Sequence, residues 1–139
     1  MDWPIFAVIG VVAGLGLLAG LRALVWRTLA QAARELTMSG VRVLIPPGPA
    51  KFTGASWLRR PRGDGVIALT QEELLFWPLF GPPLRVPRWG IQGAWLSRWF
   101  RGYMRVGRKH LVLELSGGRR IAFFVADPGR WMKILKEGG

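Results

Sequence analysis

Leu111-Val112-Leu113-Glu114-Leu115-Ser116-Gly117-Gly118-Arg119-Arg120-Ile121-Ala122-Phe123-Phe124-Val125 is the stretch on which the fold turns. Leu111, Leu113 and Leu115 share one face of an extended chain, and so do Ile121, Phe123 and Val125. That period of two marks strands with a buried side. Ser116-Gly117-Gly118 joins them, so the pair reads as an antiparallel hairpin.

Working outward from the hairpin, other short apolar runs are bounded by turn residues. Val41 to Ile45 is β-branched and closed by Pro46-Pro47-Gly48-Pro49. Val66 to Leu69 and Leu74 to Trp77 form a second hairpin across the polar Thr70-Gln71-Glu72-Glu73. Leu84 to Pro87 and Ile91 to Leu96 follow, each bounded by Gly or Pro. Asp127-Pro128 reads as an N-cap followed by proline at the first helical position. Trp131, Ile134 and Leu135 then give a helix with one apolar stripe. The region 41–139 is therefore expected to hold about six or seven antiparallel strands closed by a C-terminal helix.

The N-terminus reads differently. Pro4 to Leu21 contains no charged or strongly polar side chain. With its flanks it makes a stretch of about 20 to 24 residues, enough at roughly 1.5 Å per residue to cross a hydrocarbon core of about 30 Å. Trp3 and Trp26 stand where interfacial aromatics stand, and Arg22 is placed to snorkel. A cleaved signal peptide would need a basic start and a small-residue cleavage site, and an interfacial helix would need a polar face. Neither is present. The expectation is a single-pass membrane protein with a transmembrane helix over 1–26, an amphipathic stem over 27–40 ending at Gly40, and a β domain over 41–139. Arg22, Arg27, Arg34 and Arg42 follow the span while only Asp2 precedes it, which puts the N-terminus outside and the C-terminal domain in the cytoplasm of an inner-membrane protein. Gly10 and Gly14, and Gly16 and Gly20, are spaced to pack a second helix.

Gly65-Val66-Ile67-Ala68-Leu69-Thr70 with Leu74-Leu75-Phe76-Trp77-Pro78 resembles a hairpin of bacterial pleckstrin-homology-like (GRAM-type) domains. Leu84-Arg85-Val86-Pro87 with Ile91, the hairpin at Leu111, Gly118-Arg119 and Asp127-Pro128-Gly129-Arg130-Trp131 are similar to later parts of that family. The resemblance covers about residues 41 to 137. It implies a mainly-β PH-like barrel or sandwich with a capping helix, used for lipid or protein binding. The long Ser97 to His110 connection departs from the family pattern.

Chemistry is sparse. The chain has no cysteine, one histidine and eight acids, and the acids are scattered. His110 follows Arg108-Lys109 and reads as a structural or solvated imidazole. Gly14-Leu15-Gly16 lies within the expected span, and Gly63-Asp64-Gly65 reads as a turn. No catalysis, metal or cofactor is expected.

Charge is more informative. The net charge is +12. Between Arg88 and Lys109 lie Arg88, Arg98, Arg101, Arg105, Arg108 and Lys109 with no acid, interleaved with Trp99, Phe100 and Tyr103. Arg59, Arg60 and Arg62 make a second cluster. Arginine beside aromatics suits a protein hot spot or an anionic lipid surface, and nucleic acid is the least favoured of the three. The expected function is a non-enzymatic accessory or assembly subunit that binds other membrane-protein subunits. The alternative is an anionic-lipid sensor or signalling adaptor that binds membrane lipids.

Overall fold

The computed structural model describes residues 3–137, and their side chains over 16–136. Helix α1 (Trp3–Ser39) is followed by strands β1 (Val43–Ala55), β2 (Gly63–Thr70), β3 (Glu73–Pro78), β4 (Leu84–Pro87), β5 (Ile91–Ser97), β6 (His110–Leu115) and β7 (Arg120–Val125), and by helix α2 (Pro128–Glu137). The strands form one antiparallel sheet of seven in the order β4-β3-β2-β1-β7-β6-β5. β1 is its centre: Lys51 pairs with Asp64 on one side and with Phe124 on the other.

β1 is longer than its first apolar run because the chain stays extended through Pro46-Pro47-Gly48-Pro49. The pairing with β2 slips between Val43 and Ile45 and again between Ile45 and Gly48. Proline has no N–H to give a ladder, and these irregularities accommodate it.

The sheet is apolar on both faces, and other elements pack on each. On the inner face Phe52, Phe76 and Phe123 form a triangle with centroids 5.3 to 6.2 Å apart. Ile67, Leu69, Leu74, Leu111, Leu113, Ile121 and Val125 surround them, and Trp131 of α2 closes the end. On the outer face Val66, Ala68, Leu75 and Trp77 of β2 and β3 meet Leu29, Ala32 and Leu36 of α1. The Trp77 indole N–H donates to a Glu35 carboxylate oxygen at 2.8 Å, which fixes the helix along the strands. Val112 and Ala122, farther along the same face, meet Phe100 and Trp95.

Two expectations are corrected. Among the described residues no helix is long and apolar enough to cross a membrane. From Gly16 the apolar run lasts only to Leu21, and the same helix continues through Arg22, Arg27, Arg34 and Glu35 until Ala32 and Leu36 are buried on the sheet. The span read over 1–26 fell largely on residues whose side chains lie outside those described. The single-pass architecture is corrected on that ground: the described part of α1 runs on into a contact with the sheet. Nor is the β region a closed barrel: β4 and β5 are the two ends of an open sheet.

The α1 contact makes a direct test. Ala32 is fully buried, so Ala32→Leu overpacks the seam and should lower stability by about 1–3 kcal/mol in urea denaturation. Glu35→Gln keeps an acceptor for the Trp77 N–H and should cost roughly 1 kcal/mol or less. Equal effects at the two positions would show that shape is not what holds the helix.

Candidate functional site

The connection between β5 and β6 folds back over the outer face of β1, β6 and β7, and its anchoring begins in a defect of β1. The pairing of β1 with β7 runs Phe52 to Phe123 and then Gly54 to Ala122, leaving Thr53 as an extra residue. Such a bulge re-aims a side chain. Here Thr53 turns to the outer face and meets His110, with Thr53 Oγ1 2.9 Å from His110 Nδ1. His110 Nε2 lies 3.0 Å from the Tyr103 carbonyl oxygen. A carbonyl can only accept, so Nε2 carries the ring proton and Nδ1 accepts from the threonine hydroxyl. The imidazole is fully buried and stacks on Phe124 at 4.5 Å.

Tyr103 packs edge-on to His110 at 5.7 Å, and Phe100 lies 6.1 Å from the same ring. Phe100 and Tyr103 exchange two backbone hydrogen bonds, of 3.1 and 2.9 Å. The two residues between them, Arg101 at φ +50° and Gly102 at φ +76°, both take the left-handed region. That is the conformation a tight two-residue hairpin turn demands. Glycine takes it freely and arginine does not, so Arg101 is held strained at the tip. Gly54 makes room beneath: a Cβ there would sit 3.2 Å from the Phe100 ring.

Cations gather around this aromatic group. The Arg62 guanidinium lies 4.2 Å from the Tyr103 ring centre, and its Nε donates to the Thr53 carbonyl at 3.1 Å. Lys51 Nζ donates to the Tyr103 hydroxyl at 3.2 Å, and Arg108 lies 5.2 Å from the Phe124 ring centre. Arg59 is exposed, while Arg60 turns away to donate to the Pro82 carbonyl at 2.6 Å.

The residues singled out in the sequence are thus divided by the structure. Arg62, Phe100, Tyr103 and Arg108 share one cluster, but Phe100 is 8 % exposed and is an anchor rather than a contact surface. Arg98, Trp99, Arg101, Arg105 and Lys109 face outward, with Trp99 59 % exposed. Arg59 and Arg60 do not join them. Gly16 and Gly20 lie on α1 with open space around them, while Gly10 and Gly14 fall outside the residues whose surroundings are described. Lys51, Thr53 and Phe124 were missed. Phe124 carried a signal, because an aromatic on the outward side of the Ile121-Phe123-Val125 strand requires a cover. Among the described residues no three His, Cys, Asp or Glu side chains come together to hold a metal.

No family model matches the sequence, and no curated protein matches it. The reading of the chain as a pleckstrin-homology-like, GRAM-type domain is corrected accordingly. One solved structure similar to this chain is the crystal structure of the C-terminal domain of an unknown protein from Leishmania infantum, with a TM-score of 0.54. The two are 10 % identical over 73 % of this chain and 87 % of that one, a likeness of fold alone.

His110 links the cluster to pH. Burial pushes its imidazole below the ordinary value of 6.5; the Tyr103 carbonyl raises it in part, and nearby Arg62 lowers it again. The folded chain therefore holds the ring neutral where the unfolded chain takes up a proton. The stability this supplies is complete above 6.5 and is lost as pH falls below it. Denaturation from about pH 7.5 to about pH 5.5 should show that decline, and His110→Gln should flatten it. Thr53→Val leaves Nδ1 without a donor and should cost about 1–3 kcal/mol at neutral pH.

Proposed function

We propose that the chain is a non-enzymatic interaction module, an accessory subunit that binds a partner protein through the outward face of the Ser97 to His110 connection. The observation that carries this reading is the contrast between the two sides of one short segment. Its inner side is fixed by Phe100, Tyr103 and His110, while Trp99 (59 % exposed), Met104 (42 %) and Val106 (89 %) stand in solvent among Arg98, Arg101 and Arg105.

A loop with nothing to bind gains little from holding tryptophan and valine in water. Exposed aromatic and arginine side chains on a fixed backbone are what the centre of a protein interface uses. Because the backbone is already ordered, association would not have to order it, and that cost is removed from binding. The partner chemistry that fits is an apolar depression able to take Trp99, edged by acidic side chains that face the arginines.

The aromatic cluster beneath the loop does not favour catalysis. A general acid or base needs a titratable group within reach of a substrate. The titratable ring here, His110, is buried with both nitrogens bonded.

The test is co-purification with tagged full-length chain from its own cells, comparing wild type with Trp99→Ala and Arg101→Ala. Both positions are exposed, so both variants should fold as wild type by circular dichroism. A partner held by burial should persist at raised salt, because apolar contact contributes roughly 25 cal/mol per Å² and is not screened. Trp99→Ala should release it. If no partner depends on Trp99, or if the chain instead shows salt-sensitive binding to anionic vesicles that Arg101→Ala weakens and Trp99→Ala does not, the proposal fails.

A further inference from the structure

α1 covers the outer face over β2 and β3, and the Ser97 to His110 connection covers it over β6 and β7. Between the two covers the centre of that face stays open. The opening is a recess of about 280 Å³. Its floor is β1, β2 and β7, with Lys51, Gly65 and Phe124; its walls are Val25 of α1 and Arg105 and Arg108 of the connection. Three cations from two separate elements therefore line one small space. Asp64 is the one acid lining it.

We propose that this recess is a binding site for a phosphate group. Among the described residues none of Lys51, Arg105 and Arg108 forms a salt bridge, whereas Arg85 pairs with Glu73 at 2.8 Å elsewhere on the surface. Two of the three are also positioned in advance. Lys51 is tied to the Tyr103 hydroxyl at 3.2 Å, and Arg108 lies over Phe124 at 5.2 Å. Lysine has two further N–H groups to offer, and the arginine forks are free to bind two oxygens each. A tetrahedral oxyanion can accept from all three at once. The size agrees with a small group, since clefts for larger organic ligands run to roughly 300–1,000 Å³ and this one, at about 280 Å³, lies just below that range. The recess shares Arg105 with the outward face of the loop, but Lys51 and Arg108 belong to the recess and Trp99 does not line it, so variants at those positions test the two proposals separately.

The experiment is a chemical-shift titration of isotope-labelled full-length chain with inorganic phosphate, chloride and dihexanoyl phosphatidic acid, which is water-soluble. Phosphate should shift the Lys51, Arg105 and Arg108 side-chain resonances and the Gly65 and Gly107 amides saturably, and chloride should not. Lys51→Ala with Arg108→Ala should weaken phosphate by about tenfold or more. Arg119→Ala with Arg120→Ala removes the same charge at the β6–β7 turn and should leave affinity within about twofold. Asp64→Asn, which adds no strain, should tighten it. Equal affinity for phosphate and the lipid analogue would assign the site to a soluble phosphate ester, and a much tighter lipid analogue would assign it to a lipid headgroup. No saturable shift, or equal weakening by both double variants, would overturn the proposal.

Discussion

Val112 stands between Leu111 and Leu113 on β6, and all three are buried. Successive strand residues point to opposite faces. The sheet therefore has no side that it can leave to water, and the rest of the molecule follows from that constraint. α2 answers it on the inner face through Trp131. On the outer face no single element is large enough, so α1 and the Ser97 to His110 connection divide the work. Trp77 and Ala32 seal one seam; Phe100, Val112 and Ala122 seal the other. The surfaces left for function are those where these covers meet solvent or each other.

The second cover is a loop, and a loop needs more than apolar contact to hold a shape. His110 supplies it. One ring accepts a hydrogen bond from the Thr53 hydroxyl, donates one to the Tyr103 carbonyl and stacks on Phe124. Each partner comes from a different part of the chain: Thr53 from the bulge in β1, Phe124 from β7, and Tyr103 from the loop itself. Positive charge then collects on the rim, because the aromatic faces of Tyr103 and Phe124 attract Lys51, Arg62 and Arg108. Each such contact is worth only about 0.5–1 kcal/mol where exposed, so the cations stay available to a ligand.

The sequence made some of this legible and hid the rest for physical reasons. Alternation located the hairpin of β6 and β7, and the Asp127-Pro128 signal located α2, because both are local. The extended run through Pro46-Pro47-Gly48-Pro49 was not local: those prolines are tolerated only because β1 slips against β2 there. The N-terminal helix misled most. Its apolar run resembles a span in isolation, while the contact of Leu29, Ala32 and Leu36 with Trp77 depends on a strand far away in the chain. The loop was picked out by its arginines and aromatics, yet which aromatics face inward was set by Gly54 and Thr53, and neither carries a distinctive pattern. His110 was read as structural or solvated, and the structure places it as structural.

The claim at the centre of this account is that the Ser97 to His110 connection is ordered before anything binds it. Native-state hydrogen exchange of the Phe100 and Tyr103 amides measures that directly, since each donates to the other's carbonyl across the Arg101-Gly102 turn. Exposed loops open at almost no cost, while amides tied to the core exchange only with much larger opening. The account predicts that both amides exchange as slowly as those of β6 and β7 at neutral pH. Exchange at the rate of an open chain, with β6 and β7 still protected, would contradict it.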